Sequence, residues 1–77
     1  MRTNYTEVCK ELGRKLRELR ITRGWTQKQA AERLHVTERT YRAWEHGTGE
    51  LYIHNLFLFA RCYDIRVADL FSDSPMA

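Results

Sequence analysis

The chain has 77 residues, 13 of them Lys or Arg and 10 Asp or Glu, for a formal charge of +3. A chain this short hides only about 60% of its unfolded surface on folding, which allows one modest core and no separate catalytic or sensor domain within these residues. Its longest unbroken apolar run, Leu56 to Ala60, is five residues, against the ~20 that a membrane span needs.

Leu, Ile, Val and Phe number 17 of 77, just above the roughly 20% level below which disorder is the default. With one proline and four glycines, the composition reads as globular and helical. A single domain over residues 1–77 is expected, with its core over about 6–71 and short tails. The N-terminus has no apolar stretch that could serve as a secretory signal, so a soluble, cytoplasmic protein is expected. Cys9 and Cys62 form neither a disulfide framework nor a CxxC pair, and both are expected to stay reduced and packed on helices. Charge is unevenly spread. Met1 to Glu45 holds 11 basic and 6 acidic residues, a balance of +5, whereas His46 to Ala77 holds 2 basic and 4 acidic, a balance of −2. That asymmetry suits a polyanion facing the first half, or equally a solvated charged helix face.

In chain order, the first helix is predicted from Tyr5 to Thr22. Asn4 and Glu7 fit an N-cap with its reciprocal partner, and Val8, Leu12, Leu16 and Leu19 make one helical stripe. Gly24 suits the left-handed residue that ends such a helix. Thr26 with Gln29 forms a capping box for a short second helix over Gln27 to Leu34, with Ala30, Ala31 and Leu34 facing inward. After His35 and Val36, Thr37 is the N-cap of a third helix, Glu38 to Glu45, with Tyr41 and Trp44 as its apolar pair. Gly47 and Gly49 mark a loop. The fourth helix, Ile53 to Tyr63, is unusually apolar, with Ile53, Leu56, Phe59, Ala60 and Tyr63 on the core stripe. A last helical turn, Val67 to Phe71, closes the core before Ser74 and Pro75. No internal repeat or strand pattern is present.

The segment Thr26 to Gly47, TQKQAAERLHVTERTYRAWEHG, carries the function. Two capped short helices separated by a three-residue turn form a helix-turn-helix. In that geometry the first helix crosses a phosphate backbone and the second enters the major groove N-terminus first. A generic helical hairpin can share the spacing.

The segment Leu12 to Phe71 resembles the phage-repressor, Cro-like helix-turn-helix family, also described as the xenobiotic-response-element type. The likeness rests on LRELRITRGWTQKQAAERL, on WEHG after the third helix and on a closing IRVADLF. Gln27, Ala31, Val36, Thr37, Trp44, Glu45 and Gly47 stand where that family has such residues. The resemblance implies a compact, all-α, five-helix repressor-like domain that binds double-stranded DNA, acts as a homodimer and regulates transcription. It implies that Glu38, Arg39, Arg42 and Ala43 face the bases. Their chemistry suits that place, because arginine can hold guanine O6 and N7 together, glutamate can accept from cytosine N4, and alanine can touch a thymine methyl. For Arg39 and Arg42 the alternative is an ordinary solvated face; for Glu38 it is favourable placement at a helix N-terminus. Gln27, Thr37 and His46 match phosphate-holding positions, and Lys28 joins them on charge alone. Arg20 and Glu45 match a structural ion pair that sets the angle of the third helix.

Three positions depart from the pattern. His35 stands where glycine is usual, at a turn position expected to need positive φ, and histidine is among the residues enriched there. The loop Thr48, Gly49, Glu50, Leu51 is acidic where basic residues are usual. Leu58 replaces a polar residue; with Phe57 and Tyr52 it is left off the core stripe as a candidate dimer interface. The alternative is a helix rotated slightly, so that these residues join the core.

His35, His46 and His54, with Cys9 and Cys62, lack metal-ligand spacing, and there is no phosphate-cradling glycine loop. Neither an enzyme, a metal or cofactor site, nor a small-molecule ligand is expected. The rival function is a helical protein-interaction module that kept the fold and lost DNA binding.

Overall fold

The computed structural model describes residues 5–49 and 51–71. Helix α1 spans Tyr5–Thr22, α2 Gln27–Leu34, α3 Glu38–His46 and α4 Ile53–Tyr63, followed by a 3₁₀ turn at Val67–Phe71. The Asn4 cap, the Glu50 loop position and the Ser74–Pro75 tail lie outside the described residues.

The predicted starts and stops have physical causes that the structure displays. Thr26 Oγ1 accepts from the Gln29 N–H at 3.1 Å while the Gln29 side chain accepts from the Thr26 N–H at 2.9 Å, a complete capping box for α2. Thr37 Oγ1 accepts from the Thr40 N–H at 3.1 Å and starts α3. His35 closes α2 with φ 60° and ψ 41°, so the left-handed turn expected there is present without glycine. The Val36 N–H reaches back to the Ala31 carbonyl at 3.0 Å, which satisfies a carbonyl the helix end would otherwise orphan. Gly24 and Gly47 are also left-handed. Since Gly47 is the cap, α3 runs one residue past the predicted Glu45, to His46.

The all-α architecture is as expected, but the described residues contain four α-helices rather than five. Residues 67–71 instead form a 3₁₀ turn, with the Asp69 N–H bonded to the Arg66 carbonyl at 3.0 Å. Asp69 also accepts from the Arg66 N–H at 3.1 Å. That local bonding tightens a piece too short to develop an α-helical ladder.

The core joins one stripe from each element: Leu12, Leu16 and Leu19 of α1, Ala30, Ala31 and Leu34 of α2, Tyr41 and Trp44 of α3, Phe59 and Tyr63 of α4, and Leu70. Trp44 meets Phe59 edge-on at 5.0 Å and Trp25 stacks on Tyr63 at 5.6 Å. Val8 is only half-buried; Cys9 takes its place inside. Helix α4 keeps the predicted core stripe at Leu56, Phe59, Ala60 and Tyr63 and departs from it only in its first turn. Ile53 is 74% exposed, whereas Asn55 is buried and Leu56 half-buried. Both cysteines are free thiols, Cys9 buried and Cys62 half-buried.

Candidate nucleic-acid interface

The placement of α3 depends on three features at its C-terminal end. Gly13 lies mid-α1, where an added Cβ would stand 2.6 Å from the Trp44 carbonyl oxygen and closer still to that of Glu45. Gly47 similarly abuts the Lys10 backbone, with a Cβ there only 2.9 Å from Lys10 Cα. These two glycines let α1 and the end of α3 meet at backbone distance. The sequence signal for Gly13 is an isolated glycine inside a helical pattern, which marks a close packing contact.

The third feature is the expected ion pair. Arg20 donates from Nε to Glu45 Oε2 at 2.6 Å and from Nη2 to Oε1 at 3.3 Å, and its Nη1 donates to the Trp25 carbonyl at 2.9 Å. Their side chains are 13% and 3% exposed. Burial by itself would raise the Glu45 carboxyl, but hydrogen bonds from Arg20, Tyr41 and Gln27 and the attraction of Arg20 outweigh it, leaving the group below its ordinary value. Burial, then bonding to Tyr63 and Glu45, pushes the Tyr41 phenol far above its ordinary value. Its hydroxyl lies 3.0 Å from that of Tyr63, linking α3 to α4 inside the core. These groups are held in their hydrogen-bonding protonation states.

With Tyr41 and Trp44 buried, the opposite side of α3 is turned outward. Arg39 and Arg42 are exposed and Glu38 and Ala43 half-exposed, so the four predicted base-facing residues share one accessible face. Lys28, Thr37 and His46 are also exposed, and Gln27 is half-buried beside them. Arg42 donates from Nη2 to Glu38 at 2.8 Å and from Nε to Gln27 Oε1 at 3.3 Å. The Gln27 Nε2 donates in turn to Glu45 Oε1 at 3.1 Å. One N–H of that amide remains, so a phosphate contact is still chemically open to it. The Thr37 hydroxyl is already engaged by Thr40, donating to its Oγ1 at 3.0 Å. Arg39 makes no ion pair or hydrogen bond among the described residues.

Beside this face an open cleft of about 330 Å³ runs between α3 and the start of α4, lined by Arg39, Ala43, Gly49, Tyr52 and Asn55 among others. Gly49 and Asn55 were not foreseen here, because the cleft is formed by elements distant in sequence. Tyr52 is 54% exposed, Phe57 56% and Leu58 41%, so the candidate dimer residues do lie outside the core.

Residues 16–70 match the helix-turn-helix family. The chain belongs to that family. The matched stretch starts late in α1 and includes both helices of the helix-turn-helix, α4 and the closing turn. Among curated relatives, the cryptic phage CTXphi transcriptional repressor RstR of Vibrio cholerae is 35% identical over 60 residues, which is 78% of this chain and 54% of that repressor. The chain thus spans about half the length of that relative. Two solved structures share the fold at a TM-score of 0.76. The clp gene regulator ClgR of Corynebacterium glutamicum is 26% identical, covering 83% of this chain and 68% of the other. The restriction-modification controller protein C.AhdI of Aeromonas hydrophila is 27% identical, covering 82% and 96%. Among the described residues of this helix-turn-helix chain, no helix is long and apolar enough to cross a membrane.

Proposed function

We propose that this helix-turn-helix chain is a transcriptional regulator that binds specific double-stranded DNA through α3 in the major groove. The observation that carries the reading is the fixed outward presentation of α3. Its inner end is held by Gly13, Gly47 and the buried Arg20–Glu45 pair, while Glu38, Arg39, Arg42 and Ala43 stand on the accessible side. The +5 balance of the first 45 residues supplies attraction to phosphate. The relatives named as a repressor, a gene regulator and a controller protein support the same reading. In it, Gln27, Lys28, Thr37 and His46 hold phosphates on either side of the groove.

The chain binds as a homodimer in this reading, since one recognition helix reads only a few base pairs and a two-fold pair reads half-sites about one DNA turn apart. The exposed Tyr52, Phe57 and Leu58 belong to the less basic half of the sequence and offer apolar surface for a self-complementary patch, with Tyr52 at its border with the cleft that Arg39 and Ala43 line.

A mobility-shift series in salt tests the core of the proposal. A dimer holding about eight phosphates loses roughly 10³–10⁵ in affinity between 50 and 200 mM salt. Binding indifferent to salt, or no binding to any duplex selected from a random pool, overturns it. Arg39→Ala costs about 1–3 kcal/mol at a selected site and relaxes preference at one base pair; an equal loss on every duplex makes Arg39 a phosphate contact instead.

A further inference from the structure

Arg39 and Arg42 occupy the same face of α3 but are held differently. Arg39 has no side-chain partner among the described residues, whereas Arg42 is gripped along one edge. Its Nε–H donates to Gln27 Oε1 at 3.3 Å and its Nη2 donates to Glu38 Oε2 at 2.8 Å. Nε–H and the adjacent Nη2–H lie side by side on the planar guanidinium, so Gln27 and Glu38 together occupy that edge. The outer edge, with one N–H from each Nη, is left available, since among the described residues Nη2 makes one hydrogen bond and Nη1 none.

We propose that Gln27 and Glu38 are positioning residues that hold Arg42 so that its outer guanidinium edge reads one guanine of each half-site. This rests on the reading of α3 as the base-facing helix. Two parallel donors match the O6 and N7 acceptors that guanine shows in the major groove, whereas adenine sets a donor beside N7 and repels one of them. An exposed ion pair alone holds a side chain loosely, and Arg42 and Glu38 are 51% and 40% exposed. Gln27 changes that. It comes from the neighbouring helix, and its own amide is tied at 3.1 Å to Glu45, which is clamped to Arg20 in the interior. The guanidinium is therefore connected through Gln27 to the buried Arg20–Glu45 pair. Freezing a rotamer-rich side chain before the partner arrives removes that entropic cost from binding. Specificity at this base pair thus depends on two residues that need not touch the base.

The test uses a DNA site selected from a random pool with the full chain, and duplexes in which each G·C pair is changed in turn to A·T. Affinities are read by fluorescence anisotropy. For the wild type one such change costs about 5- to 150-fold, and Arg42→Ala removes that preference. Gln27→Leu and Glu38→Ala each shrink the preference at the same pair by about threefold or more, and neither changes it further in the Arg42→Ala background. Losses that leave the preference at that pair intact, as loss of a Gln27 phosphate contact alone would, or effects on the preference that add to Arg42→Ala, overturn the proposal and leave α3 as the reading helix. A wild type with no preferred site, or an Arg42→Ala variant with unaltered base preferences, overturns the α3 reading and this inference together. A DNA-free arm covers any loss of stability in Gln27→Leu. In ¹⁵N spectra of the free protein the Arg42 Nε–H exchanges with water more slowly than that of Arg39, and Glu38→Ala, a surface change, speeds it. Equal exchange for the two arginines in the wild type overturns the proposal.

Discussion

Helices α3 and α4 face each other across the core, and their inner sides are alike. Tyr41 and Trp44 of α3 meet Tyr63 and Phe59 of α4, through a hydroxyl pair at 3.0 Å and an edge-on ring contact at 5.0 Å. Their outer sides are opposite in kind. α3 turns charge outward at Glu38, Arg39 and Arg42, whereas α4 turns outward Ile53, Phe57 and Leu58, 74%, 56% and 41% exposed. They are also anchored differently. α3 is positioned by backbone contact at Gly13 and by the buried Arg20–Glu45 pair. α4 has no side-chain cap hydrogen bond at its N-cap, Tyr52, and is held largely by apolar contact. Apolar contact stabilises without fixing direction, while a bidentate buried pair and a backbone-to-backbone approach fix both distance and angle. In the proposed function α3 presents particular side chains to phosphates and bases, which needs the second kind of anchor, whereas the apolar surface that α4 is proposed to offer a second copy does not.

The strongest way to break this contrast is to release the anchor of α3. Glu45→Ala leaves Arg20 buried with only the Trp25 carbonyl as partner, and removing one member of a buried pair costs about 3–5 kcal/mol. Chemical denaturation measures it; a loss below about 1 kcal/mol would make the pair no more than a surface bridge. The same pair sets an acid limit. Because the folded Glu45 carboxyl lies below its ordinary value, its contribution is fully present above the ordinary carboxylate range and disappears as pH falls through the lower folded value. Thermal stability therefore drops below about pH 4, and that acid-dependent part is reduced in Glu45→Gln.

Next in size is Gly13→Ala. The new methyl would meet the Trp44 and Glu45 carbonyls of α3, and overpacking of this kind costs about 1–3 kcal/mol. A helix-interior Gly→Ala change otherwise stabilises by roughly 0.5–1 kcal/mol, so the sign alone reports whether the close approach exists. In α4 the corresponding change is made on the outside. Leu58→Glu leaves monomer stability nearly unchanged and weakens self-association, by an amount limited by the roughly 1.5–3 kcal/mol of one fully buried leucine. Light scattering over a concentration series decides it. A wild type that stays monomeric at high micromolar concentration, or a variant that dimerises equally well, removes Leu58 from the interface.

The same contrast explains what the sequence revealed. Local bonding is written locally, so the capping box at Thr26 and Gln29, the N-cap at Thr37 and the left-handed His35 were all legible, and the element bounds followed. Of α4, the stripe Leu56, Phe59, Ala60 and Tyr63 was legible too, but the first turn was not. Ile53 is a stronger hydrophobe than Asn55, yet Asn55 is the buried one, because an almost wholly apolar helix has no charged face to mark its outside. The grip of Gln27 on Arg42 and Glu45 was also hidden, since it joins residues 15 and 18 positions apart whose spacing has no periodic signature. The closing turn showed its place and apolar residues but not its 3₁₀ geometry, which comes from the Arg66–Asp69 bonds.

The smallest expected effect compares the residues that terminate the helices on either side of α3. His35 ends α2 at φ 60° and Asp64 ends α4 at φ 55°, the two left-handed residues other than glycine among those described. Left-handed backbone costs an L-residue roughly 1–2 kcal/mol that glycine avoids, and glycine's looser unfolded chain returns about 0.4–1 kcal/mol of it. His35→Gly should therefore gain a few tenths to about 1 kcal/mol. Asp64 carries a second penalty, because its carboxylate lies at a helix C-terminus, where the partial negative charge of the last carbonyls disfavours it by about 0.3–1 kcal/mol. Arg23 donates to the Tyr63 carbonyl at this same end, which offsets part of that repulsion, and Asp64 has no ion pair among the described residues. Asp64→Gly should then raise the melting temperature more than His35→Gly, with about 1 kcal/mol corresponding to 4–8 °C in a domain of this size. Asp64→Asn separates the two causes, since it removes the charge and keeps the side chain's tolerance of left-handed backbone. If Asp64→Asn gains nothing while Asp64→Gly gains as much as His35→Gly, backbone strain alone distinguishes these caps from glycine. If His35→Gly lowers the melting temperature, the imidazole makes a contribution to the turn before α3 that outweighs its strained backbone.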